Sequence, residues 1–255
     1  MKVAIKFINL VKIIWMAFKD KIYGWQWFRD FFNITIFKYF VTWFAIVPIF
    51  AKISESLPKK IHIPVNKELN YTIHLELPFK WEILWFSSLC FVIAYILYLI
   101  FRPNFISKYF SLKYYLEFEH SPRWIVWETQ KLIKSSTDLD KFVKRMSDKG
   151  YLSITNDSKF KDKELIDVGG DQTYLYFLHN NIKYKFAMPI IKEGKEDEGL
   201  TKIAVREIFW EIFGRFSSSK FKIRLVIQGL LAISLITFTI AFMQSIYSGF
   251  QYFIK

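Results

Sequence analysis

Residues 225–254 read LVIQGLLAISLITFTIAFMQSIYSGFQYFI, and no charge falls between Arg224 and Lys255. About 20 apolar residues are enough for a helix to cross the hydrocarbon core of a bilayer. This run has length to spare, and soluble cores rarely contain one so long without a charge. It is read as oil-embedded, with residues 225–247 as the last of the transmembrane helices. The chain is then an integral membrane protein, and every other segment is placed by its distance from lipid.

Working back along the chain, residues 83–101 also lack a charge. Trp81 and Glu82 border the run on one side, Arg102 and Pro103 on the other, as in an interfacial belt of aromatic and charged residues. The second transmembrane helix is therefore predicted over residues 81–101. Residues 31–53 are less uniform, because Lys38, Pro48 and Lys52 interrupt them. A lysine near a helix end can extend its ammonium to the interface, so this stretch is predicted as the first transmembrane helix. Residues 1–30 place Lys2, Lys6, Lys12 and Lys19 opposite Phe7, Leu10, Val11, Ile14, Trp15 and Phe18 at helical spacing. That is the pattern of an amphipathic helix lying in the interface. Lys6 and Lys12 break up the apolar core that a signal peptide needs.

Composition agrees with this layout. Hydrophobic residues make up 53% of the 255 and aromatics 20%, which excludes a disordered chain. One cysteine excludes a disulfide scaffold. The net charge is +13, and Lys and Arg crowd the borders of residues 1–30 and 102–224. The positive-inside rule places both segments in the cytosol. The loop 54–80 and the tail 248–255 then lie outside, and the expected location is a bacterial inner membrane. Sidedness accounts for the charge without nucleic acid as a partner.

The outer loop alternates Ile61, Ile63 and Val65, then Tyr71, Ile73, Leu75 and Leu77, as in a small hairpin. His62 and His74 lie on it, but no third or fourth metal ligand accompanies them. Residues 102–224 are long enough for one α+β domain. Ser121 and Pro122 start a helix through 124–134, and a second runs from Asp138 to Gly150. A strand is predicted at 151–155, a polar loop at 156–172, and a two-stranded ribbon around Asn180 and Asn181. An acidic loop spans 192–199. An amphipathic helix over 201–213 ends at Gly214 and leads toward the last span. Two helices, a strand and a ribbon are loosely the order of a winged helix. Lys141, Lys144, Arg145 and Lys149 would form its basic face, expected to bind a cytosolic protein partner or an anionic ligand, with nucleic acid the lesser alternative.

Catalytic patterns are missing from the sequence. It has no phosphate-binding loop, dinucleotide fingerprint or serine nucleophile elbow. Neither an enzyme activity nor a cofactor or metal is expected. The spans instead carry stripes of small and polar residues on one helical face: Ser234, Thr237, Ala241, Gln244 and Ser248 in the third, and Ser87, Cys90 and Ala94 in the second. Such stripes let helices approach closely in lipid. They serve either to seal one chain or to meet neighbours in a homo-oligomer, where hydroxyls could line a water path.

The expected architecture is thus an interfacial helix, three transmembrane helices, and a cytosolic α+β domain between the second and third. In outline this resembles the membrane effectors and sensors of bacterial stress and anti-phage systems. That resemblance of layout implies a non-enzymatic sensor or effector whose cytosolic domain signals to the spans. The alternative is a scaffold or accessory subunit of a transport or secretion complex.

Overall fold

The computed structural model describes residues 23–56, 60–66, 69–74, 80–135, 138–156 and 164–254. The interfacial helix predicted over residues 1–30 lies outside it up to residue 22, as do the side chains of Lys38 and of the 60–74 hairpin. In chain order the helices and strands begin with α1 (Trp25–Asn33), α2 (Thr35–Ser56), β1 (Lys60–Asn66), β2 (Leu69–His74) and α3 (Trp81–Phe101). Two short helices follow, α4 (Asn104–Lys108) and α5 (Leu112–Glu117), then α6 (Trp124–Ser135) and α7 (Leu139–Asp148). Next come β3 (Leu152–Ile154), β4 (Glu164–Val168), β5 (Thr173–His179), β6 (Ile182–Met188), β7 (Ile191–Lys192) and β8 (Lys195–Glu196). The last helices are α8 (Glu198–Ser218) and α9 (Phe221–Ile254). The chain divides into two compact units, one holding Tyr23, Trp27–Phe101 and Lys220–Lys255, the other Gly24–Gln26 and Arg102–Ser219.

In the first unit, α3 with 21 residues and α9 with 34 are long and apolar enough to cross a membrane. At 1.5 Å per residue α3 alone measures about 30 Å. The 31–53 stretch is not one helix: α1 ends at Asn33 and α2 begins at Thr35, with Ile34 between them. Its apolar part, Tyr39–Ile53, is shorter than a span. The tail expected at 248–255 is also replaced, because α9 continues to Ile254. No proline interrupts it, and nothing in SGFQYFI breaks a helix that is already formed.

Small residues let α3 and α9 pack together. Ser87 and Ser234 are fully buried, and the Ser87 hydroxyl donates to the Ser234 carbonyl at 2.7 Å. Cys90, Phe91 and Ala94 continue this buried face of α3. From α2, Phe40 stacks on Phe91 of α3 at 4.9 Å and meets Phe238 of α9 at 5.0 Å. Val47, Leu84 and Ala241 close one end with Trp81 and Trp85. The start of α9 is fixed by two bonds, Lys220 Nζ to the Phe101 carbonyl at 3.0 Å and Arg224 Nη1 to the Tyr23 carbonyl at 2.7 Å.

The second unit is a four-stranded antiparallel sheet of order β3-β6-β5-β4, covered on one face by helices. Leu175, Phe177, Phe186 and Met188 alternate along β5 and β6 and are buried. They share the core with Ile125 and Leu132 of α6 and with Ala204, Ile208, Phe209 and Ile212 of α8. Asn180 and Asn181 adopt φ of +49° and +61°, the positive angles a two-residue hairpin requires.

Three loop assignments need correction. The polar stretch 156–172 contains β4, an edge strand paired with β5. Its sequence, ELIDV, mixes carboxylates with apolar residues as a half-solvated edge strand does. The acidic stretch 192–199 holds the β7–β8 hairpin, turned by Glu193 and Gly194 at positive φ. Asp197 then caps α8 by accepting the Leu200 N–H at 2.9 Å. Finally, α8 passes through Gly214 to Ser218; a helical glycine costs only about 1 kcal/mol, which packing on both sides overrides.

Candidate functional site

The chain leaves α3 through Arg102 and Pro103 and enters two short helices rich in aromatics. Ser111 caps α5 by accepting the Tyr114 N–H at 3.2 Å. This capped turn sets Leu112, Tyr115 and Leu116 against the first two turns of α8. Between them lies a cleft of about 580 Å³. It is lined by Leu112, Tyr115, Leu116, His120 and Pro122 on one side, and by Thr201, Lys202, Ile203, Val205 and Arg206 on the other. That volume is within the usual range for small-molecule sites.

One wall is an aromatic nest. The His120 ring stacks between Phe118 at 5.3 Å and Trp124 at 4.9 Å. Its Nε2 sits 3.3 Å from the Tyr109 hydroxyl, which also accepts from Trp124 Nε1 at 3.2 Å. Lys108 Nζ approaches the Tyr109, Phe118 and Trp124 rings at 4.9, 5.5 and 5.3 Å. Burial, with the Lys108 charge adding to it, holds the His120 pKa below the ordinary histidine value. Tyr115 is buried, and its hydroxyl finds no hydrogen-bond partner among the described residues. Burial pushes its pKa up, reinforced by Tyr109 and by the buried Glu128. Both groups are thus neutral near pH 7.

The opposite rim is cationic. Lys202 makes one long pair with Glu198 at 3.7 Å, both well exposed. Arg206 is exposed and forms no ion pair among the described residues. Between the two, Ile203 is 53% exposed, and across the cleft Leu116 is 55% exposed. Apolar walls, one of them holding a neutral His120, and a positive edge thus share one concave surface.

The residues singled out from sequence are distributed differently. The basic residues Lys141, Lys144 and Arg145 of α7 and Lys149 just after it do not form one free face. Arg145 pairs with Glu211 at 2.8 Å, and Lys149 with Glu207 at 3.0 Å. Glu207 also accepts the Tyr151 hydroxyl at 2.9 Å. Those two bonds hold the Glu207 carboxyl below its usual range, whereas burial pushes the Tyr151 phenol up to about 12. Lys141 and Lys144 remain exposed. Carboxylates on α8 therefore take up half of the basic set, and those carboxylates are remote in sequence.

In the helical unit the stripes of α3 and α9 meet within one chain. Ser87, Cys90, Ala94, Ser234 and Ala241 are buried. Thr237 donates to the Ile233 and Ser234 carbonyls at 2.8 and 3.0 Å, and Gln244 Oε1 accepts the Lys80 N–H at 3.2 Å. Ser248 is half-buried. Ser87 and Ser234 thus seal α3 against α9 within one chain, while Thr237, Gln244 and Ser248 are only partly buried.

The cleft itself was missed from sequence. Its trace is the density of aromatics in YFSLKYYLEFEH, residues 109–120, beyond any span. No protein-family model, curated protein or solved structure matches the chain.

Proposed function

We propose that the chain is a non-enzymatic membrane-anchored sensor or effector. Its mixed α/β unit faces the cytosol and takes up a ligand or partner, and α8 passes the change to the membrane helix α9. One observation carries this reading. The helix that contributes Thr201, Lys202, Ile203, Val205 and Arg206 to the cleft ends at Ser218, and α9 begins at Phe221. Only Ser219 and Lys220 separate a cleft-lining helix from one long enough to span a bilayer.

The link is also well held. Within the α/β unit the buried Trp25 indole donates to the Ser219 carbonyl at 2.9 Å. A side chain at Gly24 would meet Ser217 Oγ at 2.6 Å, so glycine keeps this contact close. Lys220 takes a φ of +51°. A two-residue connection transmits displacement better than a long flexible linker, which absorbs it.

The three-span topology with the N-terminus inside follows from the basic borders of residues 1–30 and 102–224. Involvement in bacterial stress or anti-phage defence rests on that layout alone.

The test is a fluorophore on Lys222→Cys, in a Cys90→Ser background, reconstituted in vesicles. Filling the cleft from within by Ile203→Trp is expected to shift the emission. Inserting Gly-Gly between Ser219 and Lys220 is expected to remove that shift. An emission unmoved by cleft filling would contradict a sensor and favour the static docking subunit.

A further inference from the structure

We infer that the cleft between α5 and α8 binds a single acyl chain carrying an anionic head, a fatty acid or lysophospholipid drawn from the bilayer. This deepens the sensor reading and rests on it. The chemistry of the two sides argues for such an occupant. Leu112, Leu116, Ile203 and Val205 offer aliphatic walls to a flexible hydrocarbon tail. A free energy of about 0.8 kcal/mol per buried CH₂ makes even a partial insertion worthwhile. A purely apolar guest would gain nothing from the rim, yet the rim holds Lys202 and Arg206, and Arg206 has no carboxylate partner among the described residues. Guanidinium recognises carboxylate and phosphate in a planar, bidentate way.

Tyr115 is 2% exposed with its hydroxyl buried, so it closes the cleft with its ring and leaves the head group to the cationic rim. The neutral state of His120 keeps a second positive charge out of the apolar wall, so the anion is drawn to the rim and the tail to the interior. A partner helix of acidic amphipathic character is the other class of guest. The concave volume of about 580 Å³ fits a small molecule better than a helix, which needs an extended groove. The chain's own residues 1–22 are basic and would be repelled by the same rim.

The experiment uses the full chain in phosphatidylcholine nanodiscs and a photoactivatable palmitate probe, with cross-links mapped by mass spectrometry. Labelling is expected on residues 112–122 and 201–206, saturable and displaced by oleate. Oleyl alcohol, which has the same tail without the charge, should compete roughly tenfold less well. Leu116→Glu, at an exposed position, should lower cleft labelling by more than about tenfold, and Arg206→Gln should abolish the preference for oleate over the alcohol. Labelling confined to α3 and α9, equal labelling in Leu116→Glu, or displacement by an acidic helical peptide and not by oleate would each overturn the inference. The two readings fail separately. Oleate that binds without moving the Lys222→Cys fluorophore contradicts the sensor and leaves the lipid site. Ile203→Trp that moves it in a protein with no cleft labelling contradicts the lipid site and leaves the sensor.

Discussion

The two units use the same aromatic-rich alphabet in opposite senses. In the α/β unit the large apolar side chains Phe142, Phe177, Phe186 and Phe209 are buried, and charges such as Lys141 and Lys144 face outward. On α3 and α9 the order inverts. Ile100, Ile236, Phe242 and Met243 are exposed, while Ser87, Ser234, Cys90 and Ala94 share the buried positions with Phe91, Tyr98, Ile227 and Leu231. Water rewards the first arrangement, and an apolar solvent suits the second. Leu116 and Ile203 are apolar and exposed in the α/β unit, as are Ile154, Val168 and Trp210 elsewhere on it, but these two face each other across the cleft.

The largest way to break the comparison is to place the same charge on both units. Ile236 of α9 and Ile154 of β3 are both highly exposed. Ile236→Arg should cost about 2.5–3.5 kcal/mol of membrane insertion, read as lost membrane-inserted protein in a translocation assay. Ile154→Arg should stay within about 0.5 kcal/mol in thermal unfolding. Equal effects would mean that one solvent surrounds both helices and sheet.

A smaller effect tests the packing side of the inversion. Ser234 is fully buried against α3, with its carbonyl accepting from Ser87. Ser234→Leu is expected to destabilise by about 1–3 kcal/mol through overpacking, measured by thermal aggregation in detergent. Ser234→Ala keeps the backbone carbonyl and the close approach, and should cost less than half as much. A stabilising Ser234→Leu would show that the serines do not set the spacing of α3 and α9.

The smallest effect concerns His120. Its folded pKa is lowered by burial and by Lys108, partly offset by Glu128. Its contribution to stability is therefore present above the ordinary histidine value of about 6.5 and is lost as pH falls below it. Melting curves between pH 7.5 and 5 should show a decline that His120→Phe flattens, because phenylalanine keeps the stack on Phe118 and Trp124 without titrating. An identical slope in the variant would remove His120 from the pH response.

Much of the fold was legible because it depends on local signals. The uncharged runs at 83–101 and 225–254, the Asn180–Asn181 turn and the Gly150 stop are properties of neighbours in sequence. The uninterrupted α8 was misread at Gly214, since tertiary packing on Ile212, Phe213 and Phe216 outweighs the propensity of a single glycine. Strand β4 was misread as loop because an edge strand needs only one partner and can remain polar. The pairing of Arg145 and Lys149 was not legible for a different reason. Their partners Glu207 and Glu211 lie on α8, more than fifty residues away, and charge pairing across the fold leaves no trace in spacing. The cleft was illegible for the same cause, being assembled from two segments about ninety residues apart.

Single-cysteine accessibility in intact cells tests the membrane layout most directly. In a Cys90→Ser background, Asn70→Cys lies on the β1–β2 hairpin before α3, and Lys144→Cys lies on α7 after it. If α3 crosses a bilayer with the α/β unit inside, a membrane-impermeant maleimide labels the Asn70→Cys variant in whole cells and reaches the Lys144→Cys variant only after lysis. Labelling of both variants from the same side, or release of the whole chain by alkaline carbonate, would contradict it.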